Sequence, residues 1–153
     1  MLRRALPKPK EITLHMSAAA FIRVAWPSHL PWWHCPNGEE RGDRRPYQKK
    51  DGTWATYSPT GKKLKNMGVR PGVADFQFIL PNGQAAFIEM KRPGEDLTED
   101  QIKFRDEVTA CGCGYQVCYS VAEVAKTLER WLALYGLHLR ARLQQGALFG
   151  ADR

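Results

Sequence analysis

The sequence predicts an α/β fold with a mixed β-sheet flanked by helices, and three observations predict it. Helix and strand signals run in the order helix, strands, helix, strand, helix. Two capping boxes, Thr98-x-x-Gln101 and Ser120-x-x-Glu123, each open a stretch with apolar residues at helical spacing. Two strand-like runs, Asp75–Leu80 and Ala85–Lys91, are joined through Pro81-Asn82-Gly83-Gln84. With 153 residues the chain fits one domain, residues 1–153, that buries roughly 70% of its unfolded surface. Its core is expected over about 10–137, with a basic insertion over about 41–70 and a tail over 138–153.

The elements follow from local chemistry. Lys10 to about Ala25 reads as a helix with Ile12, Ala19 and Ile22 among its inward residues, stopped before Pro27. Residues 31–42 read as loop. Tyr47–Tyr57 reads as a hairpin inserted in the N-terminal half, because Asp51-Gly52 is a two-residue turn signal between residues with strand preference. Ser58-Pro59 is an N-cap followed by Pro at the first helical position, and Gly68 is a C-terminal stop, so a short basic helix lies between them. From Thr98 a helix presents Leu97, Gln101, Phe104, Val108 and Cys111 on one face. Tyr115–Tyr119 is a strand. A last amphipathic helix turns Val124, Leu128, Trp131 and Tyr135 inward and stops at Gly136.

Composition excludes some classes. No uninterrupted apolar run exceeds five residues, as at Ala18–Ile22, which is far too short to span a bilayer. Arg3 and Arg4 are followed by no apolar segment, so no signal peptide is read. Cys35, Cys111, Cys113 and Cys118 lack paired zinc-ligand spacing, and reduced thiols in a cytoplasmic setting are expected.

The net charge of +7 is unevenly placed. Between residues 41 and 70, Arg41, Arg44, Arg45, Lys49, Lys50, Lys62, Lys63, Lys65 and Arg70 face only Asp43 and Asp51. Residues 71–100 reverse the balance, with Lys91 and Arg92 against Asp75, Glu89, Glu95, Asp96, Glu99 and Asp100. A basic lobe beside an acidic pocket suits an enzyme that uses a cation to act on a polyanion, although a solvated basic face has the same composition. Trp32, Trp33, Trp54 and Tyr57 lie in or beside the basic segment, where they either stack on splayed bases or anchor a core or dimer interface.

The sharpest feature is Glu89-Met90-Lys91, the single Asp/Glu-x-Lys in the chain, one hairpin downstream of Asp75. Strand side chains alternate, so Glu89 and Lys91 share one face while Ala86, Ile88 and Met90 share the other. The apolar face can pack on a core, leaving acid and base side by side on an edge. Two carboxylates and an ammonium suit a hard divalent ion with oxygen ligands and a positioned water. For Glu89 and Lys91 alone an exposed ion pair is the favoured reading, and Asp75 one hairpin upstream is what tips it toward a site. Parity separates the two. Residues directly opposite on antiparallel strands point to one face. A two-residue Asn82-Gly83 loop sets Asp75 opposite Met90, whereas an odd loop or a bulge sets it opposite Glu89 or Lys91.

The run Gly68-Val69-Arg70-Pro71-Gly72-Val73-Ala74-Asp75, the strand Glu89-Met90-Lys91-Arg92 and Leu97-Thr98-Glu99-Asp100-Gln101 resemble the virus-type replication–repair nuclease (VRR-NUC) domain, a family of the PD-(D/E)XK nuclease superfamily. Trp33-His34-Cys35-Pro36-Asn37-Gly38 is similar to the family's His-x-Pro-Asn-Gly segment, and the likeness continues through Ser120-Val121-Ala122-Glu123 and Trp131-Leu132. Ala74 stands where the superfamily name has Pro, a residue that shapes backbone rather than chemistry. The resemblance implies a restriction-endonuclease-like fold and a Mg²⁺- or Mn²⁺-dependent endonuclease. It implies Asp75 and Glu89 as metal-binding carboxylates, Lys91 as the lysine that orients the attacking water, Gln101 as the helix glutamine beside the site, and Glu11 as a further acid of the first helix.

Stand-alone members of phage and bacterial type are similar to junction-resolving enzymes that work as homodimers on branched DNA, in the cytoplasm of a bacterium or of a phage-infected host. His34, Asn37, Arg41, Arg44, Arg45, Lys62, Lys63, Lys65, Arg70 and Arg92 are the candidate nucleic-acid contacts. Simpler roles stand beside several of these: Gln101 as the capping partner of Thr98, Glu11 as a first-turn acid favoured by the helix dipole, His34 as a loop histidine. The alternative function is a non-catalytic nucleic-acid-binding module that retains the fold and the basic lobe.

Overall fold

A computed structural model describes residues 11–35 and 45–143. The chain runs α1 (Glu11–Ala25), β1 (Trp32–His34), β2 (Arg45–Gln48), β3 (Trp54–Tyr57), α2 (Pro59–Asn66), β4 (Phe76–Ile79), β5 (Ala85–Met90), α3 (Glu99–Ala110), β6 (Gly114–Cys118) and α4 (Val121–Ala133). The main sheet has the order β1-β4-β5-β6, with β1, β4 and β5 antiparallel to their neighbours and β5 and β6 parallel. Helices α1 and α4 cover one face, burying Leu14, Ala18, Ile22, Val124, Leu128 and Trp131 against Phe76, Phe78, Ala86 and Ile88. Helix α3 covers the other through a smaller cluster of Ala74, Phe87 and Phe104. This is the mixed, helix-flanked sheet that the element order predicts. None of the described helices is long and apolar enough to cross a membrane.

The helix termini form where their caps predict. Ser58 Oγ accepts from the Gly61 amide and Pro59 opens α2. Thr98 and Gln101 complete a reciprocal capping box at α3. At α4, Ser120 Oγ accepts from the Glu123 amide, while the Glu123 carboxylate reaches one residue further back, to the Tyr119 amide.

Four details depart from the sequence expectation. Residues 32–34 pair with β4 instead of forming a loop, because Phe76 and Phe78 offer them an apolar neighbour. Ile12 is exposed, since the buried stripe of α1 runs through Leu14, Ala18, Phe21, Ile22 and Ala25. Cys111 caps α3 and is exposed. The β2–β3 turn holds three residues rather than two: Gly52 donates to Lys49 O and Lys49 donates to Thr53 O, so Gly52 takes the third position with φ +83°. This hairpin forms a sheet of its own.

The β4–β5 connection decides what the fold can do. Leu80 donates to Gln84 O and Gly83 to Leu80 O, which leaves Pro81, Asn82 and Gly83 as a three-residue loop. Pro81 presets the first central φ, Asn82 accepts from the Gln84 amide, and Gly83 adopts φ +82°, the left-handed step such loops require. The odd loop pairs Phe76 with Ile88 and Ile79 with Ala85. Extending that register by one residue sets Asp75 opposite Glu89, as the parity argument requires.

Gly72 locks the approach to Asp75. It has φ +76°, and a Cβ there would collide with the Asp100 carbonyl and the Gln101 amide. Only glycine lets the incoming chain lie against the first turn of α3. We expect Gly72→Ala to destabilise the protein by about 2 kcal/mol or more, which is roughly 4–8 °C in Tm by thermal denaturation. An unchanged Tm would show that this contact is dispensable.

Candidate active site

The site forms where the ends of β4 and β5 meet the starts of α1 and α3. Strand β5 lies inside the sheet, so Glu89 does not sit on an edge as its sequence context suggests; it is 2% exposed, and Asp75 is 7% exposed. Each carboxylate is held by specific donors. Asp75 Oδ2 accepts from the Met90 amide at 2.8 Å. Glu89 Oε1 accepts from the Gln101 side-chain amide and lies 3.6 Å from Lys91 Nζ. The same Gln101 accepts from the Thr98 amide through Oε1 at 2.9 Å. Gln101 is therefore both the capping partner of α3 and the residue that fixes Glu89.

Burial dominates the electrostatics. It raises the Glu89 carboxyl to about 8, with the nearby Asp75 charge adding to the rise and Lys91 opposing it. Burial likewise raises Asp75, against the pull of His15, the Met90 amide, His34 and Lys91. Glu89 Oε2 is buried with no hydrogen-bond partner. An orphaned carboxylate oxygen beside a second buried carboxylate is an oxygen donor set that a divalent cation would satisfy. The residues present fit such an ion.

The remaining candidates differ in their surroundings. Glu11 is exposed at the start of α1, and its charge reaches both Glu89 and Arg92. Arg92 is paired with Glu95 through its side chain and its amide. Arg70 pairs with Glu107 and lies 5.5 Å over the Phe104 ring, so α3 holds it in place. Arg45 on β2 and Lys62, Lys63 and Lys65 on α2 are exposed. Asn37, Arg41 and Arg44 lie outside the described residues. Among the aromatics, Trp32 packs toward Phe76, whereas Trp54 is 71% exposed on the hairpin.

Two residues reach the site that sequence reasoning does not single out. His15, one turn beyond Glu11 on α1, places Nε2 3.5 Å from Asp75 Oδ2, and its ring meets that of His34 edge-on. His34 itself is exposed at the end of β1 against Phe76. Tyr115 on β6 buries its hydroxyl without a partner, and burial with the nearby Glu89 and Asp75 charges pushes it up. The i, i+4 spacing of Glu11 and His15 is the available signal for the histidine.

Among known proteins, the family model described as the VRR-NUC domain matches residues 20–122. No curated protein and no solved structure matches the chain.

The raised Glu89 carboxyl has a consequence for stability. Its folded value of about 8 lies above the ordinary 4.5, so the folded state binds the extra proton. The stabilisation this proton provides is complete below about pH 4.5 and is lost as pH rises through about 8. In EDTA the protein should lose on the order of a few kcal/mol between pH 5 and 8.5 by denaturant unfolding. Glu89→Gln should flatten that slope. A wild-type stability that rises over this interval would contradict the assignment.

Proposed function

The chain belongs to the VRR-NUC domain family, a nuclease family, and on that premise we propose that it is a metal-dependent endonuclease hydrolysing DNA phosphodiester bonds. The observation that carries this reading is the placement of Asp75 opposite Glu89, with Lys91 within reach of Glu89. Asp75 and Glu89 are the carboxylates that would hold Mg²⁺ or Mn²⁺, and the exposed Glu11 stands at the mouth of the site. Such an ion supplies Lewis acidity toward the phosphate and lowers the pKa of water.

The protein's own residues do the rest. Lys91 is a fixed point charge that can hold the attacking water and offset charge developing on phosphate oxygens. Gln101 keeps Glu89 Oε1 in position, leaving Oε2 for the cation. Glu89 would hold a cation only as the carboxylate, so binding would be linked to loss of its proton. Arg45, Lys62, Lys63 and Lys65 supply a phosphate-attracting surface on elements separate from the acids.

The finer reading is a single nuclease domain acting on branched DNA such as four-way junctions, as a homodimer. Two-fold symmetry would bring one site to each of two strands. We place it in the cytoplasm of a bacterium or phage-infected cell, where its four cysteines stay reduced. A binding module without catalysis is disfavoured by the buried acids, which repel phosphate and serve no purpose in binding alone.

Asp75→Asn and Glu89→Gln should each lower Mg²⁺- or Mn²⁺-dependent cleavage by at least about 10³-fold, with DNA affinity within about twofold of wild type. Matched duplex, flap and four-way junction substrates, with EDTA as control, make the measurement. Undiminished cleavage by either variant would sink the assignment. Neutralising Lys62, Lys63 and Lys65 together should flatten the plot of log affinity against log salt by about 0.9 for each phosphate these lysines neutralise. An identical slope would mean that α2 does not touch the backbone.

A further inference from the structure

His15 and His34 take no part in the hydrolysis proposed for this site, yet the fold brings both to Asp75. His15 comes from α1, His34 from the end of β1 and Asp75 from the residue before β4. One ligand atom from each lies within 4.8 Å of the other two. That spread is close to what ligands about 2.0–2.2 Å from a shared ion require, and small side-chain rotations close the difference.

Nε2 of His15 is buried and lacks a hydrogen-bond partner, although it faces Asp75 Oδ2 at 3.5 Å. That oxygen is already taken by the Met90 amide at 2.8 Å. A buried nitrogen left unsatisfied costs about 1–3 kcal/mol. The structure thus leaves an orphaned nitrogen and, on Glu89, an orphaned oxygen around one carboxylate.

Oxygen ligands suit Mg²⁺, whereas imidazoles select Co²⁺, Zn²⁺ and related ions. Two imidazoles and one carboxylate make a three-ligand set with room for an exogenous fourth. We propose that His15, His34 and Asp75 form a nitrogen–oxygen site for a divalent ion of the Co²⁺/Zn²⁺ class, adjoining the Asp75–Glu89 oxygen site and sharing Asp75 with it. The proposal deepens the nuclease reading and rests on it for the role of Asp75, but the binding it describes needs no DNA.

The test is titration of the full chain with Co²⁺, followed by visible absorption and calorimetry. Wild type should bind one equivalent with d–d bands of nitrogen and oxygen ligation, and a tenfold excess of Mg²⁺ should not displace it. His15→Ala and His34→Ala should each weaken Co²⁺ binding at least about tenfold. Far-UV circular dichroism checks folding, and the exposed His34 keeps one variant safe if the more buried His15 proves structural. Unchanged Co²⁺ affinity in His34→Ala, displacement by Mg²⁺, or an intense thiolate charge-transfer band from a cysteine ligand such as Cys35 would each overturn the site. Cleavage of junction DNA with Mg²⁺, assayed in parallel, separates the two ideas. Histidine-dependent Co²⁺ binding without any cleavage refutes only the nuclease; cleavage without such binding refutes only the histidine site.

Discussion

The register of the β4–β5 hairpin is the constraint on which the rest depends. Three loop residues, Pro81, Asn82 and Gly83, put Asp75 across from Glu89. A slip by one residue would exchange the faces of the whole strand. Glu89 would then turn into the large apolar cluster under α1 and α4, carrying Lys91 with it, and Ile88 would face Gln101. The apolar packing of Ile88, Ala86 and Phe78 therefore guards the site, because the register that buries those side chains is the one that aligns the acids.

Burying two carboxylates within one sheet works against folding, and the surroundings answer only part of the cost. Met90 donates to Asp75, Gln101 to Glu89, and Lys91 lends its charge. Burial still wins, since both carboxyls are raised despite these partners. One proton retained on the pair neutralises half of the charge when no cation is present. The buried oxygen of Glu89 that no donor meets marks where the compensation stops.

What the sequence disclosed followed the range of the interaction involved. Caps were legible because Ser58, Thr98 and Ser120 act within three residues of themselves. The link between Gln101 and Glu89 was half legible: helical phase turned the glutamine inward, but only the fold supplies its partner. The short strand β1 was not, since three residues between prolines become a strand only by pairing with β4. The surroundings of Arg70 were not legible, because Phe104 and Glu107, which hold it against α3, lie more than thirty residues on. His15 was hidden because an intermediate position beside a buried stripe looks like packing. Its neighbours His34 and Asp75 come from strands far along the chain.

The separation of charge follows from the same geometry. Cations crowded around Asp75 and Glu89 would lower both carboxyls by direct attraction. The chain instead puts a cluster of its basic residues on the β2–β3 hairpin, which forms its own sheet, and on α2. Two arginines close to these elements in sequence are engaged by acids of their own, Arg92 by Glu95 and Arg70 by Glu107. Lys91 alone among the described lysines and arginines is paired with Asp75 or Glu89. The exposed basic residues of β2 and α2 and the buried acids are thus carried by different elements. The hairpin, in a sheet of its own, takes no part in the β4–β5 pairing that sets Asp75 opposite Glu89.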